Sequence, residues 1–295
     1  MSKIFGGLGT AVITPFKNGG EIDHGSFERL IEFQIKGGVD YIVIAGTTGE
    51  GATIDDEELY ELLKFSKEKV KGRVKVVAGT GSNNTKALVQ KIKKLNSLNA
   101  DGYLVVSPFY NKPTQDGLLA HYSEVSAAAG NIPIILYNVP GRTGGFIAPE
   151  TVARLAEKHK NIVAIKEASG NMEFAMSVYK KVSERTPNFT FLSGDDASTL
   201  PLIAVGYDGL ISVCGNEVPS QMKQLVDAAL NGDLAKARKI NYELLDLIKA
   251  NFVETNPGPI KYALKRMGYC DGSVRLPLSE FKNTKEFDEV FKKFL

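Results

Sequence analysis

Asn161-Ile-Val-Ala-Ile-Lys166-Glu-Ala-Ser-Gly170 is the stretch on which the reading of this chain turns. Ile162 to Ile165 with Lys166 reads as a short strand buried on both faces, because a continuous apolar run bounded by polar residues and glycine leaves neither side to water. The strand ends on a lysine. An ordinary strand-ending lysine snorkels its ammonium into solvent. A lysine held inside loses hydration, which disfavours the charged form and leaves an amine able to attack a carbonyl carbon. Which of the two applies depends on what surrounds the end of this strand.

On both sides the same unit repeats: an apolar run, a loop rich in glycine and hydroxyls, an amphipathic helix. Upstream runs are Leu8 to Ile13, Tyr41 to Ala45, Val74 to Ala78, Gly102 to Val106 and Ile134 to Tyr137. Helical spacing appears between them, for example at Leu88, Ile92 and Leu95, and Pro149 suits a first helical position. Downstream, Met172 to Ser183 reads as a helix, Phe189 to Leu192 as a strand, and Gly209 to Val213 as the last strand, followed by a helix over Pro219 to Leu230. About eight strand-helix units within 1–230 predict an α/β fold, a (β/α)₈ TIM barrel. A doubly wound sheet is the alternative, but Thr14-Pro-Phe16 after the first strand is not its glycine-rich nucleotide turn. Beyond 230 the strands stop, and 231–295 reads as a C-terminal all-helical extension, with Asn256-Pro-Gly-Pro259 opening one of its helices.

Composition narrows the partners. A formal net charge of +2 offers no basic groove for nucleic acid and no polybasic membrane patch. No apolar segment is long enough to span a bilayer, and the N-terminal residues lack a signal-peptide pattern. Cys214 and Cys270 are too few for a disulfide framework, which points to the cytoplasm. The three histidines, His24, His121 and His159, are far apart and lack metal-ligand spacing, so no metal is expected. Asp195-Asp196 reads as a loop or capping pair.

In a barrel the loops after the strands build the active site. Those loops collect Thr47 and Thr48, Tyr110, Tyr137 and Arg142, Lys166, Gly194 and Ile211. Lys166 can form a Schiff base with a keto group, a step that needs an acid and a base. The Tyr137 phenol can serve, although a buried tyrosine is by itself ordinary core. Thr47 can relay a proton, although loop threonines are commonly turn residues. Gly46-Thr-Thr-Gly49 exposes backbone N–H groups before a helix, a cradle for a carboxylate or phosphate; it lacks the ending of a P-loop. Arg142 can hold a carboxylate bidentately or simply sit on the surface.

Five motifs occur in order: Gly46-Thr-Thr-Gly-Glu50, Ser107-Pro-Phe-Tyr-Asn-Lys-Pro113, Tyr137-Asn-Val-Pro-Gly-Arg-Thr-Gly144, Ile165-Lys-Glu-Ala168 and Ser193-Gly-Asp-Asp196. Together, over essentially the whole chain, they resemble the 4-hydroxy-tetrahydrodipicolinate synthase (dihydrodipicolinate synthase) family within the Schiff-base pyruvate lyases. The resemblance implies a lysine-pathway lyase that condenses pyruvate, as an imine on Lys166, with L-aspartate-4-semialdehyde and then closes a ring. It implies Tyr137 as proton donor and acceptor, relayed through Thr47 and a Tyr110 that reaches the neighbouring subunit's site. Backbone at Thr48 and Ile211 would hold pyruvate, with Gly194 also lining the substrate site, and Arg142 would hold the semialdehyde carboxylate. It further implies no metal or organic cofactor, and a homotetramer built as a dimer of dimers. Lysine-inhibited members of the family carry histidines, a glutamate and a tyrosine where this chain has Asp56, Leu59, Ala87 and Phe109, so weak or absent L-lysine inhibition is expected. Two rivals remain: a sibling aldolase acting on N-acetylneuraminate or a 2-keto-3-deoxy sugar acid, and a phosphate-binding barrel in which Lys166 is structural.

Overall fold

The structure is a computed structural model that describes residues 3–295. Eight parallel strands close on themselves in sequence order: β1 (Gly7–Ala11), β2 (Tyr41–Ile44), β3 (Lys75–Gly81), β4 (Gly102–Val106), β5 (Ile134–Asn138), β6 (Ile162–Glu167), β7 (Thr190–Ser193) and β8 (Gly209–Ser212). The helices between them are α1 (His24–Lys36), α2 (Asp56–Val70), α3 (Thr85–Leu95), α4 (Gln115–Ala129), the short α5 (Pro140–Thr143), α6 (Pro149–Lys158), α7 (Met172–Ser183), α8 (Thr199–Ala204) and α9 (Pro219–Leu230). Three more helices follow: α10 (Leu234–Ala250), α11 (Gly258–Arg266) and α12 (Thr284–Phe291). The expected (β/α)₈ barrel with trailing helices is therefore the fold.

Side chains alternate across each strand. Val43, Val77, Leu104, Ile135, Ala164, Leu192 and Ile211 fill the barrel interior, with Tyr41 and Phe5 packed in the same cluster. The opposite faces, with Ile42, Val76, Tyr103, Leu136, Ile165 and Phe191, meet the helices. A Cβ on Gly9 would lie 2.1 Å from the Tyr41 ring, so the absent side chain in β1 is what admits Tyr41 to the interior.

One local expectation is corrected. The third strand does not stop at Ala78 but runs on through Gly79, Thr80 and Gly81, paired to Leu104, Val105 and Val106. Glycine is required there because a Cβ on Gly79 would sit 2.4 Å from the Ala45 carbonyl oxygen, where the chain turns after β2. The Thr47-Thr48 turn lies in a loop ahead of the next helix, as its sequence implies. Helix α2 begins at Asp56, and its exposed N–H groups are already satisfied by an Asp55–Glu58 capping box. Among the described residues no helix is long and apolar enough to cross a membrane.

Candidate active site

Parallel pairing sets Tyr137 on β5 directly beside Lys166 on β6, and Lys166 beside Leu192 on β7. Both polar side chains fall on the inward-facing register, one step beyond Ile135 and Ala164. Lys166 is 4% exposed, and its Nζ lies 4.4 Å from the centre of the Tyr137 ring. The neighbouring carboxylate, Glu167, is turned away from that amine. Its oxygens accept from Asn138 Nδ2 at 2.6 Å and from the Ser169 N–H at 2.5 Å, and burial raises its pKa. Lys166 is therefore inside the barrel rather than snorkelling, over an aromatic face instead of a carboxylate.

Gly194 follows β7 and packs against the lysine stem. A Cβ there would lie 2.9 Å from Lys166 Cε and 2.7 Å from Ala168 Cβ, and the Gly194 N–H is already donated to the Glu167 carbonyl at 2.7 Å. Its observed contribution is room for Lys166. Ile211 is buried and pairs with Gly9 of β1, whereas the β7–β8 ladder ends at Ser193–Leu210.

A cleft of about 530 Å³ opens at the C-terminal ends of the strands. Thr47, Tyr137 and Arg142 line it, which brings three of the sequence-derived residues to one cleft. Arg142 stands exposed on α5. Thr48 is buried behind Thr47, and its Oγ1 accepts from Asn256 Nδ2 at 3.0 Å. Among the described residues, no acceptor takes the backbone N–H of Thr47 or Thr48. Tyr110 is not among the residues that line this cleft. It is 88% exposed, and its φ of +72° is the left-handed conformation that a non-glycine residue seldom adopts.

The sequence reading missed the floor of the cleft. Thr255, Asn256, Pro277 and Leu278 from the C-terminal extension line it. Glu50, at the end of the turn, is fully buried in an ion pair with Lys261 of α11, and its Oε2 accepts the Arg275 N–H at 3.0 Å. Lys261 Nζ also donates to the Ser273 carbonyl at 2.7 Å. A glutamate and a lysine 211 positions apart carry no local signal of pairing. Asp196 likewise departs from expectation. Asp195 Oδ2 accepts the Ser198 N–H as a capping residue does, but Asp196 is buried and accepts from the Val213 and Cys214 N–H groups at 3.0 and 3.1 Å, tying β7 to the turn after β8.

A closed parallel barrel with a buried lysine against a tyrosine at the strand ends, that tyrosine and a hydroxyl-rich turn lining the cleft, defines a (β/α)₈-barrel lyase. A family model described as the dihydrodipicolinate synthetase family matches residues 4–293. The 4-hydroxy-tetrahydrodipicolinate synthase of Kosmotoga olearia is 47% identical over 98% of this chain and 97% of its own length. The crystal structure of dihydrodipicolinate synthase from Aquifex aeolicus superposes with a TM-score of 0.94 at 44% identity, covering 98% of each chain. That of the Cyanidioschyzon merolae enzyme with lysine bound gives 0.95 at 39% identity, covering 99% of each. The chain belongs to the dihydrodipicolinate synthetase family.

Proposed function

We propose that this chain catalyses the 4-hydroxy-tetrahydrodipicolinate synthase reaction of the diaminopimelate route to L-lysine, with Lys166 as the imine-forming residue. The observation that carries the reading is the Lys166 amine, buried and 4.4 Å from the centre of the Tyr137 ring at the end of adjacent strands. The Lys166 amine attacks C2 of pyruvate, water leaves, and the imine loses a C3 proton to become an enamine. The enamine carbon bonds to the aldehyde carbon of L-aspartate-4-semialdehyde, whose oxygen takes up a proton. The substrate's own amine then attacks C2, displaces Lys166 and closes the ring. Tyr137 is the proton donor and acceptor, and Thr47, which lines the same cleft, relays. The unclaimed N–H groups of Thr47 and Thr48 receive the pyruvate carboxylate beside Ile211, and the Arg142 guanidinium receives that of the semialdehyde.

Tyr110 joins the relay from a second subunit. Its 88% exposure and left-handed φ are those of a side chain offered outward, and the inferred assembly is a dimer, doubled to a tetramer. The reading takes 1–230 as the catalytic barrel and 231–295 as an extension that completes the cleft floor. It places the enzyme in the cytoplasm, where Cys214 and Cys270 stay as free thiols.

Borohydride trapping with pyruvate followed by peptide mass mapping tests the imine. A reduced pyruvyl adduct is expected on Lys166; its absence overturns the lysine mechanism and leaves the phosphate-binding barrel. Adding aspartate semialdehyde and following the cyclic product separates the synthase from the sugar-acid aldolases.

A further inference from the structure

We infer that Asn256 is a positioning residue that sets the direction of the Thr48 hydroxyl proton, and so makes Thr48 a donor to the carboxylate of the keto acid. The inference rests on the reading that this turn receives pyruvate. Asn256 is 4% exposed, 208 positions from Thr48, in the turn between α10 and α11. Its Nδ2 donates to Thr48 Oγ1 at 3.0 Å. A hydroxyl carries one proton and two acceptor lone pairs, so an oxygen already accepting from an amide turns its own O–H elsewhere. Among the described residues nothing accepts that proton.

The amide orientation follows from the surroundings of its other atom. Asn256 Oδ1 is buried without a partner. Reversing the amide would leave a buried NH₂ with two unmet donors in its place, and unmet donors are the rarer and costlier state. The turn is also clamped from elsewhere: Thr14 Oγ1 donates to the Gly49 carbonyl at 2.7 Å, and Glu50 is held by Lys261 and Arg275. The hydroxyl that Asn256 polarises is therefore fixed in place as well as in direction. Its O–H adds to the free backbone N–H groups of Thr47 and Thr48, giving the turn three donors and no competing acceptor.

Asn256→Asp tests this in the full chain because it keeps the shape and reverses the bond. A carboxylate can only accept, so Thr48 would surrender its proton to Asp and present a lone pair to the substrate. Pyruvate concentration dependence of borohydride trapping at Lys166 is the readout, with turnover at saturating pyruvate measured alongside. The half-saturating concentration is expected to rise roughly tenfold or more, the loss of a hydrogen bond to a charged group, while saturated turnover changes much less. Asn256→Leu, apolar and branched, should cost less than the isosteric Asp; a merely structural asparagine predicts the opposite order. In a Thr48→Val background the Asp penalty should shrink. An undiminished penalty there assigns it to charge alone and overturns the inference, as does Asn256→Asp within about twofold of the parent. If the Asp variant does not fold, the Leu variant decides: its penalty and that of Thr48→Val must depart from additivity by more than about twofold, and simple additivity overturns the inference. Failure of the parent chain to trap pyruvate at all is a different result, one that removes the lysine mechanism itself.

Discussion

Lys166 owes its setting to two neighbours that touch it and two that hold the adjacent carboxylate. Parallel register puts the Tyr137 ring under the amine, Gly194 leaves space for the stem, and Asn138 with Ser169 draws the Glu167 carboxylate away. Lys166→Ala is expected to abolish the borohydride-trapped adduct with circular dichroism unchanged. Lys166→Arg should fail equally, because a guanidinium stays protonated and is no nucleophile. Gly194→Ala is a finer test. Its Cβ would have to displace Lys166 Cε, and a misplacement near 1 Å can cost about 100-fold in rate. The expected result is a folded protein whose imine forms at least about tenfold more slowly at equal pyruvate, by rapid-quench trapping. Wild-type rates in Gly194→Ala would mean that the stem has slack. That Lys166 is buried rather than peripheral could be argued from the run Ile162 to Ile165 and the position of the strand among its fellows. The part played by Gly194 could not, because it is defined by the distance to a side chain on another strand.

The turn Gly46 to Glu50 is the element on which the cleft depends, and the C-terminal extension holds it in addition to its own hydrogen bonds, Glu50 N–H to the Thr47 carbonyl at 3.1 Å and Gly51 N–H to the Gly46 carbonyl at 3.0 Å. Glu50 adopts a φ of +53° and its carboxylate is fully buried against Lys261, whose Nζ also lies 4.1 Å from the centre of the Phe16 ring. Burial pushes the Lys261 ammonium down, and Glu50 opposes that shift. Breaking such a pair strands an uncompensated charge, so Lys261→Met should destabilise the protein by roughly 3–5 kcal/mol in urea unfolding, and adding Glu50→Gln should recover part of the loss. Equal stability of parent and Lys261→Met would show that the pair does not anchor the turn. A second link joins the turn after β8 to α10: Asn251 Nδ2 donates to Glu217 Oε1 at 2.7 Å. Burial pushes the Glu217 carboxyl up to about 8 from an ordinary 4.5. The folded state therefore keeps the proton that the unfolded chain releases above pH 4.5. This contribution to stability is full below pH 4.5, falls as the pH rises towards about 8, and is gone above that. Glu217→Gln should flatten the decline between pH 5 and 8 by a few kcal/mol at most, measured by denaturant melts at each pH. An unchanged slope would place the titration elsewhere, for example at Asp196, whose carboxyl burial also raises.

At the scale of the molecule, the barrel gathers the site and the trailing helices finish it. The eight-unit repeat dictates that loops after the strands meet at one end, while Asn256, Pro277 and Leu278 close the cleft from a part of the chain that has no strand. The same view bears on regulation. Leu59 and Phe109 line the cleft, and the Asp56 carboxylate is paired with Lys91 at 2.9 Å. These residues replace the polar set expected of lysine-inhibited relatives, so L-lysine at modest concentration should inhibit turnover weakly or not at all. Clear inhibition in the coupled assay, or a Tm raised by L-lysine, would contradict this.

The sequence by itself determined the repeat, the closed barrel, the end at which Lys166, Tyr137, Thr47 and Arg142 collect, and the family. All of these are carried by periodicity and contiguous motifs, whose signal lies within one strand-loop-helix unit at a time. Only the tertiary structure decided that Glu50 meets Lys261, that Asn256 meets Thr48, that β3 extends through its glycines, and that Asp196 is a buried tie. Each is a contact between units distant in sequence or between neighbouring strands, where burial rather than local propensity selects the partner. A polar residue in a loop has no pattern that announces what it will face. Its partner is chosen by the packing that removes both from water.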